Sequence, residues 1–290
     1  MKILHSTLIV AFALTGCNRP SNFFYLQPDP QQQQNQKPTN PGCPVQTENV
    51  LIIDLKSGWW EGDGGTTFNS IESSISSQCA KFNIEYGHMT TVEDEDGEAS
   101  AFPSKPFSTY NEIWVLSGAE TDPEDLRLES STFQRFLNGV TSSTANLFLG
   151  SGFGTNYHID AITSALGLGS VVNPGAGNDL VFLNGNGSDV ITAVSQISVS
   201  AASSPLFKNV SSLADLVNVN GSNMTPDILL MNSMLSPLLT NNAGQTEIAS
   251  ATVANRQVII DVDLPRMYMV LNNDQNARSY IINMVMTLQQ

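Results

Sequence analysis

The chain has 290 residues, with 12 Lys and Arg against 27 Asp and Glu, a net charge of −15 and 41% hydrophobic residues. A pI near 4.3 means repulsion from phosphate backbones and anionic head groups, which argues against nucleic acid as a partner. The hydrophobic share is ample for a core, and about 240 residues after an N-terminal leader suit one α/β domain.

Residues 1–16 read as a secretory signal peptide: Lys2 supplies positive charge, and residues 8–14 form a short apolar run ahead of Thr15, Gly16 and Cys17. That run is too short to span a membrane, and no later stretch reaches the roughly 18 to 20 apolar residues a span requires. Leu14-Thr15-Gly16-Cys17 resembles the lipobox of bacterial lipoproteins, which implies a lipid on Cys17, membrane attachment through it and a cell-envelope address. Asn18 in place of aspartate leans that address towards the outer membrane. From 17 to 48 the chain is rich in Pro, Gln and Asn, with glutamine at every position from 31 to 34. Such a segment buries too little to offset its ordering entropy and is expected to be a disordered stalk. The two remaining cysteines, Cys43 and Cys79, are open between a disulfide that pins the stalk to the first helix and a pair of buried thiols.

Order begins at residues 50–55, a continuous apolar run of the kind buried on both faces of a parallel sheet. It leads into a loop, 56–65, rich in glycine and acid and carrying Trp59 and Trp60. A helix is expected from about Thr67 to Lys81, because Phe68, Ile71, Ile75 and Cys79 recur at three- and four-residue spacing. A strand near 82–86, an acidic loop at 93–98 and a buried strand at 112–118 follow. The loop 119–125 then enters a helix through Phe133, Phe136 and Leu137. A strand at 146–149 closes in Gly150-Ser151-Gly152-Phe153-Gly154 and continues into a helix bearing His158. Residues 166–223 read as a β-rich excursion, after which apolar runs at 227–231 and 257–263 precede a helix over 276–288. The alternation predicts one domain over 49–290, a flavodoxin-like parallel sheet sandwiched by helices with its crevice in the loops after the strands.

The first strand, the glycine turn at 150–154, Ser204-Pro205-Leu206-Phe207-Lys208-Asn209-Val210 and the closing strand and helix together resemble the class I glutamine-amidotransferase-like superfamily, in its trehalose-utilisation-like branch. The resemblance implies an amidotransferase-like sheet. In catalytic members a cysteine occupies the middle of Gly-x-Cys-x-Gly and a later histidine and acid activate it. Here Gly152 stands at that position, Ser204 replaces the histidine before Pro-Leu-Phe, and no histidine follows His158. No catalytic residue is assigned. Ser151 with His158 as nucleophile and base is discounted, since two turns into its helix His158 should point away from the loop edge.

Ligand-binding candidates are Trp59, Trp60, Ser117, Glu120, Ser151, Gly152 and Asp263, at or just after strand ends. Aromatic faces beside hydroxyls and acids suit a sugar, which stacks on one and hydrogen-bonds the other. Asp54, Glu120, Asp261 and Asp263 form the alternative, a divalent-ion site or paired acid and base of a hydrolase, against a plain role as caps and turn formers. The Gly-x-Gly-x-Asp runs at 175–179 and 185–189 are read as turns, because two copies ten residues apart are too few and too widely spaced for a calcium-binding coil. Neither a cofactor nor a metal is assigned. The expected function is that of a non-catalytic envelope lipoprotein binding a small ligand, with carbohydrate among the candidates, or an envelope protein; a periplasmic or surface hydrolase is the alternative.

Overall fold

The computed structural model describes residues 43–44, 46–55, 66–89, 103–117, 130–151, 157–173, 191–197, 204–211, 213–217, 227–228, 232–240, 244, 246–262, 267 and 274–289. The leader, Cys17, the stalk up to residue 42, Trp59, Trp60, Glu120, Gly152, Asp263 and the two Gly-x-Gly-x-Asp turns lie outside the described residues.

The first half of the chain runs β1 (Glu48–Leu55), α1 (Thr66–Gln78), β2 (Phe82–Met89), β3 (Glu112–Ser117), α2 (Ser131–Ser142), β4 (Asn146–Ser151) and α3 (Tyr157–Ala165). The second runs β5 (Val172–Asn173), β6 (Ile191–Ile197), β7 (Leu213–Val217), β8 (Asp227–Ile228), β9 (Ser236–Thr240), β10 (Thr246–Val253), β11 (Arg256–Asp261) and α4 (Gln275–Thr287). Nine strands make one sheet in the order β2-β1-β3-β4-β11-β10-β9-β6-β7. From β2 to β11 neighbours are parallel, and from β11 onwards they are antiparallel. The parallel half therefore has the flavodoxin-like order, with β11 as its fifth strand.

The antiparallel wing draws β6 and β7 from the β-rich excursion and adds β9 and β10, two strands absent from the expected series. Of the apolar run at 227–231, the described strand is only Asp227–Ile228, which pairs with β5 in a separate two-stranded sheet. A short apolar run looks alike whether it enters a main sheet or packs beside it.

Period-two alternation sorts the strands onto two cores. Val50, Ile52, Trp114, Phe148 and Ile259 meet Ile71 and Ile75 of α1 and Tyr280, Ile281 and Met284 of α4. On the opposite face Leu51, Ile53, Val115, Leu149 and Ile260 meet Phe133 and Phe136 of α2 and Ile159 and Ile162 of α3. Burial on both faces is why the parallel strands read as unbroken apolar runs. The Ser204 to Val210 segment forms a 3-10 turn over Pro205–Phe207 clamped to α4, where Asn283 Nδ2 donates to the carbonyls of Leu206 at 3.0 Å and Lys208 at 2.6 Å.

At the amino edge of the sheet, asparagines set the register. Asn83 Nδ2 donates to Asn49 Oδ1, the Asn49 N–H donates to Asn111 Oδ1, and the Gln257 N–H donates to Asn146 Oδ1, all at 2.7–2.9 Å. These bonds satisfy strand-end groups that the ladder leaves over. The β10–β11 hairpin turns through Ala254 and Asn255 at φ 49° and 66°, the twist of a type I′ turn made without glycine.

Candidate functional site at the carboxyl edge of the parallel strands

β1 returns through α1 to β2 on one side, whereas β3 returns through α2 to β4 on the other. The chain thus leaves β1 and β3 in opposite directions, and an open α/β sheet forms its crevice at such a switch point. The apolar strands end there in polar residues: Asp54, Ser117, Ser151 and Asp261 are all fully buried.

Register divides these four between two layers. Asp54, Leu116, Gly150 and Asp261 are successive Cα partners across β1, β3, β4 and β11, and Leu116 belongs to the α1 and α4 face. Leu55, Ser117 and Ser151 form the next row, on the α2 and α3 face. Two of the candidates, Ser117 and Ser151, are therefore direct neighbours on adjacent strands.

Asp54 and Asp261 are not. Two strands intervene, and three steps of about 4.8 Å put them about 14 Å apart. Ligating oxygens lie within about 2.6 Å of a shared divalent ion, so these two carboxylates cannot hold one together. Among the described residues no group of three His, Cys, Asp or Glu side chains is placed to hold a metal. Of the four carboxylates expected to supply a metal site or an acid and base, Asp54 and Asp261 are thus not brought together, because topology separates their strands; Glu120 and Asp263 lie outside the described residues.

Asp261 instead accepts a hydrogen bond of 2.7 Å from the Tyr280 hydroxyl of α4, and the Tyr280 ring lies nearly parallel to Phe207, 6.4 Å away. In the sequence Tyr280 reads only as part of the apolar face of its helix; nothing in the helical spacing marks its hydroxyl as a carboxylate partner. Tyr280→Phe is expected to lower the unfolding free energy by about 1–3 kcal/mol, because a buried acceptor loses a donor. Urea denaturation with an unchanged m-value checks it, and a midpoint equal to wild type would show that the bond contributes nothing.

His158 is the second residue of α3, so it stands in the first turn of the helix and not two turns in. It is 4% exposed and meets the Phe133 ring edge-on at 5.0 Å, which gives it a place in the core between α3 and α2. Trp114 is likewise buried, packed edge-on against Phe148 at 5.2 Å. Cys43 and Cys79 are joined in a disulfide with Cα atoms 5.7 Å apart, which ties the start of the described chain to the end of α1. No helix among the described residues is long and apolar enough to cross a membrane.

No family model and no curated protein matches the chain. Among solved structures, a cytoplasmic protein from Salmonella typhimurium is 11% identical at a TM-score of 0.49, over 82% of this chain and 98% of that one. A protein described as part of a GMP synthase from Thermoplasma acidophilum is 9% identical at 0.46, over 82% and 92%. An exo-beta-1,4-mannosidase from Opitutaceae bacterium strain TAV5 is 9% identical at 0.41, over 82% of this chain and only 35% of its own length. Likenesses this distant carry nothing about the chemistry of this chain.

Proposed function

We propose that the chain is a lipid-anchored envelope protein whose amidotransferase-like domain binds a small ligand, a neutral carbohydrate first among the classes, at the carboxyl edge of β1 and β3 and without a covalent nucleophile. The supporting observation is the switch point between β1 and β3, with Asp54 the last but one residue of β1 and Ser117 the last of β3. In the sequence, Trp59 and Trp60 follow Asp54 by five and six positions. An acid on one face of the sheet edge, a hydroxyl on the other and aromatic side chains that follow β1 in the sequence are groups of the kind that recognise a sugar. The separation of Asp54 from Asp261 removes that one pairing from the alternative reading as a hydrolase. Lipid attachment at Cys17 rests on the lipobox resemblance.

The test is titration of the purified, detergent-solubilised chain with neutral oligosaccharides, followed by isothermal titration calorimetry. Trp59→Ala with Trp60→Ala is expected to weaken binding at least tenfold, which corresponds to about 1.4 kcal/mol. A sugar that binds the double variant as well as wild type, or a panel with no binder, defeats the reading. Hydrolysis of an amide or ester that Ser151→Ala abolishes would defeat its non-catalytic part. Cys17→Ser is expected to release the chain from the membrane fraction.

A further inference from the structure

Glu112 opens β3 at the opposite, amino edge of the sheet and is fully buried. Its Cα partners are Val50 on β1 and Asn146 on β4, which puts it on the face packed by α1 and α4. One carboxyl oxygen, Oε2, accepts from Trp114 Nε1 at 3.2 Å, while Oε1 accepts no hydrogen bond among the described residues. The end of α4 is docked on this same edge: Asn146 Nδ2 donates to the Leu288 carbonyl, and the Gln289 side-chain amide faces Glu112.

Burial, the end of α4 and the nearest charge disfavour a negative charge on this carboxyl group, against the Trp114 N–H and the Gln289 amide, which favour it. The carbonyl-bearing end of α4 is the negative pole of that helix. Of the charged groups among the described residues, Glu48 on β1 is the one whose field reaches it, and it has the same sign. From β4 the neighbour is Asn146, from β3 itself Trp114 and from α4 Gln289, none of which titrates in the ordinary range. A neutral acid avoids the cost of burying an unpaired charge and adds an O–H donor beside the orphan carbonyls of a helix end.

We propose that Glu112 is protonated in the folded chain and acts as a proton-held latch: its ionisation sets a buried negative charge against the carbonyl end of α4, beside the Asn146–Leu288 bond, and loosens that end from the amino edge of the sheet. Burial is the main cause, opposed by the Trp114 N–H, reinforced by Glu48 and again opposed by Gln289; together they hold the carboxyl well above the usual carboxylate range. Because the folded pKa is raised, the latch is fully closed below the unfolded value of 4.5 and is lost as pH rises towards the folded one.

The test compares wild type, Glu112→Gln and Glu48→Gln between pH 5 and pH 9, reading Tm and the hydrogen exchange of the last turn of α4 corrected for intrinsic rates. Glu112→Gln keeps the shape of the neutral acid. It is expected to raise Tm at pH 8 by roughly 3–5 °C for each pH unit by which folding raises the carboxyl, and to abolish the pH response of the last turn. Glu48→Gln should move the midpoint of that response to lower pH. A Glu112→Gln chain that is less stable than wild type at pH 8, or that keeps the wild-type pH response, overturns the proposal. So does a wild-type last turn whose exchange does not change over the range.

Discussion

Arg256→Ala is expected to lower the unfolding free energy by about 3 kcal/mol, the upper end of the range for losing hydrogen bonds to a charged group. Arg256 is 5% exposed and begins β11. Its Nη1 donates to the carbonyls of Val140 at 3.0 Å and Ser143 at 2.8 Å, and its Nη2 to that of Thr141 at 3.2 Å. These carbonyls belong to the last turn of α2 or just beyond it, where no intrahelical N–H serves them, and the guanidinium also meets the negative pole of the helix. Truncation leaves two buried acceptors and one half-buried acceptor short of donors and frees α2, with Phe133 and Phe136, from the strand it is pinned to. Arg256→Lys keeps the charge but not the fork that spans three carbonyls, so it should recover only part of the loss. Urea denaturation reads both variants. A loss below about 1 kcal/mol for alanine would mean that water replaces the guanidinium at little cost.

Opening the Cys43–Cys79 bridge has the second large effect. It spans a sequence separation of 36 residues. The chain-entropy treatment of such a loop gives about 3.8 kcal/mol of stabilisation, through the constraint on the unfolded chain. Cys43→Ala is the cleaner variant: Cys43 is exposed whereas Cys79 is buried, so the cross-link goes without leaving a cavity. Its Tm should fall by roughly 8–15 °C, at about 2–4 °C per kcal/mol for a domain of this size. Wild type under a strong reductant should match it, and reductant should leave the variant unchanged. Equal Tm values for oxidised and reduced wild type would show that the bridge carries no stability.

The parallel half of the fold was legible because its signals are local. Residues 50–55 and 113–116 are apolar nearly without a break since both faces are covered, and α1 and α4 begin and end within three residues of their expected bounds. The wing was legible only in part: β6 and β7 fall in the expected β-rich excursion, whereas β9 and β10 were not read as strands. β9 and β10 alternate weakly, and the turn at Ala254-Asn255 lacks the glycine that marks most type I′ hairpins. Of the candidate site, Ser117 and Ser151 could be placed at strand ends by their spacing, but their adjacency depended on β3 and β4 being neighbours. Tyr280 carried no signal, since a helix-facing tyrosine looks the same with or without a carboxylate opposite its hydroxyl.

By itself, then, the sequence determined the class of fold, the strands of its parallel half and the faces they bury, because hydrophobic periodicity is written within each element. Tertiary structure alone decided that Asp54 and Asp261 stand three strands apart, that Glu112 is sealed beneath the end of α4, and that Arg256 serves a helix more than a hundred residues earlier. Strand order and the landing place of a helix end are set by contacts between segments remote in the chain. Whether a given carboxylate ends up paired, buried or near another follows from those contacts and not from its neighbours in sequence.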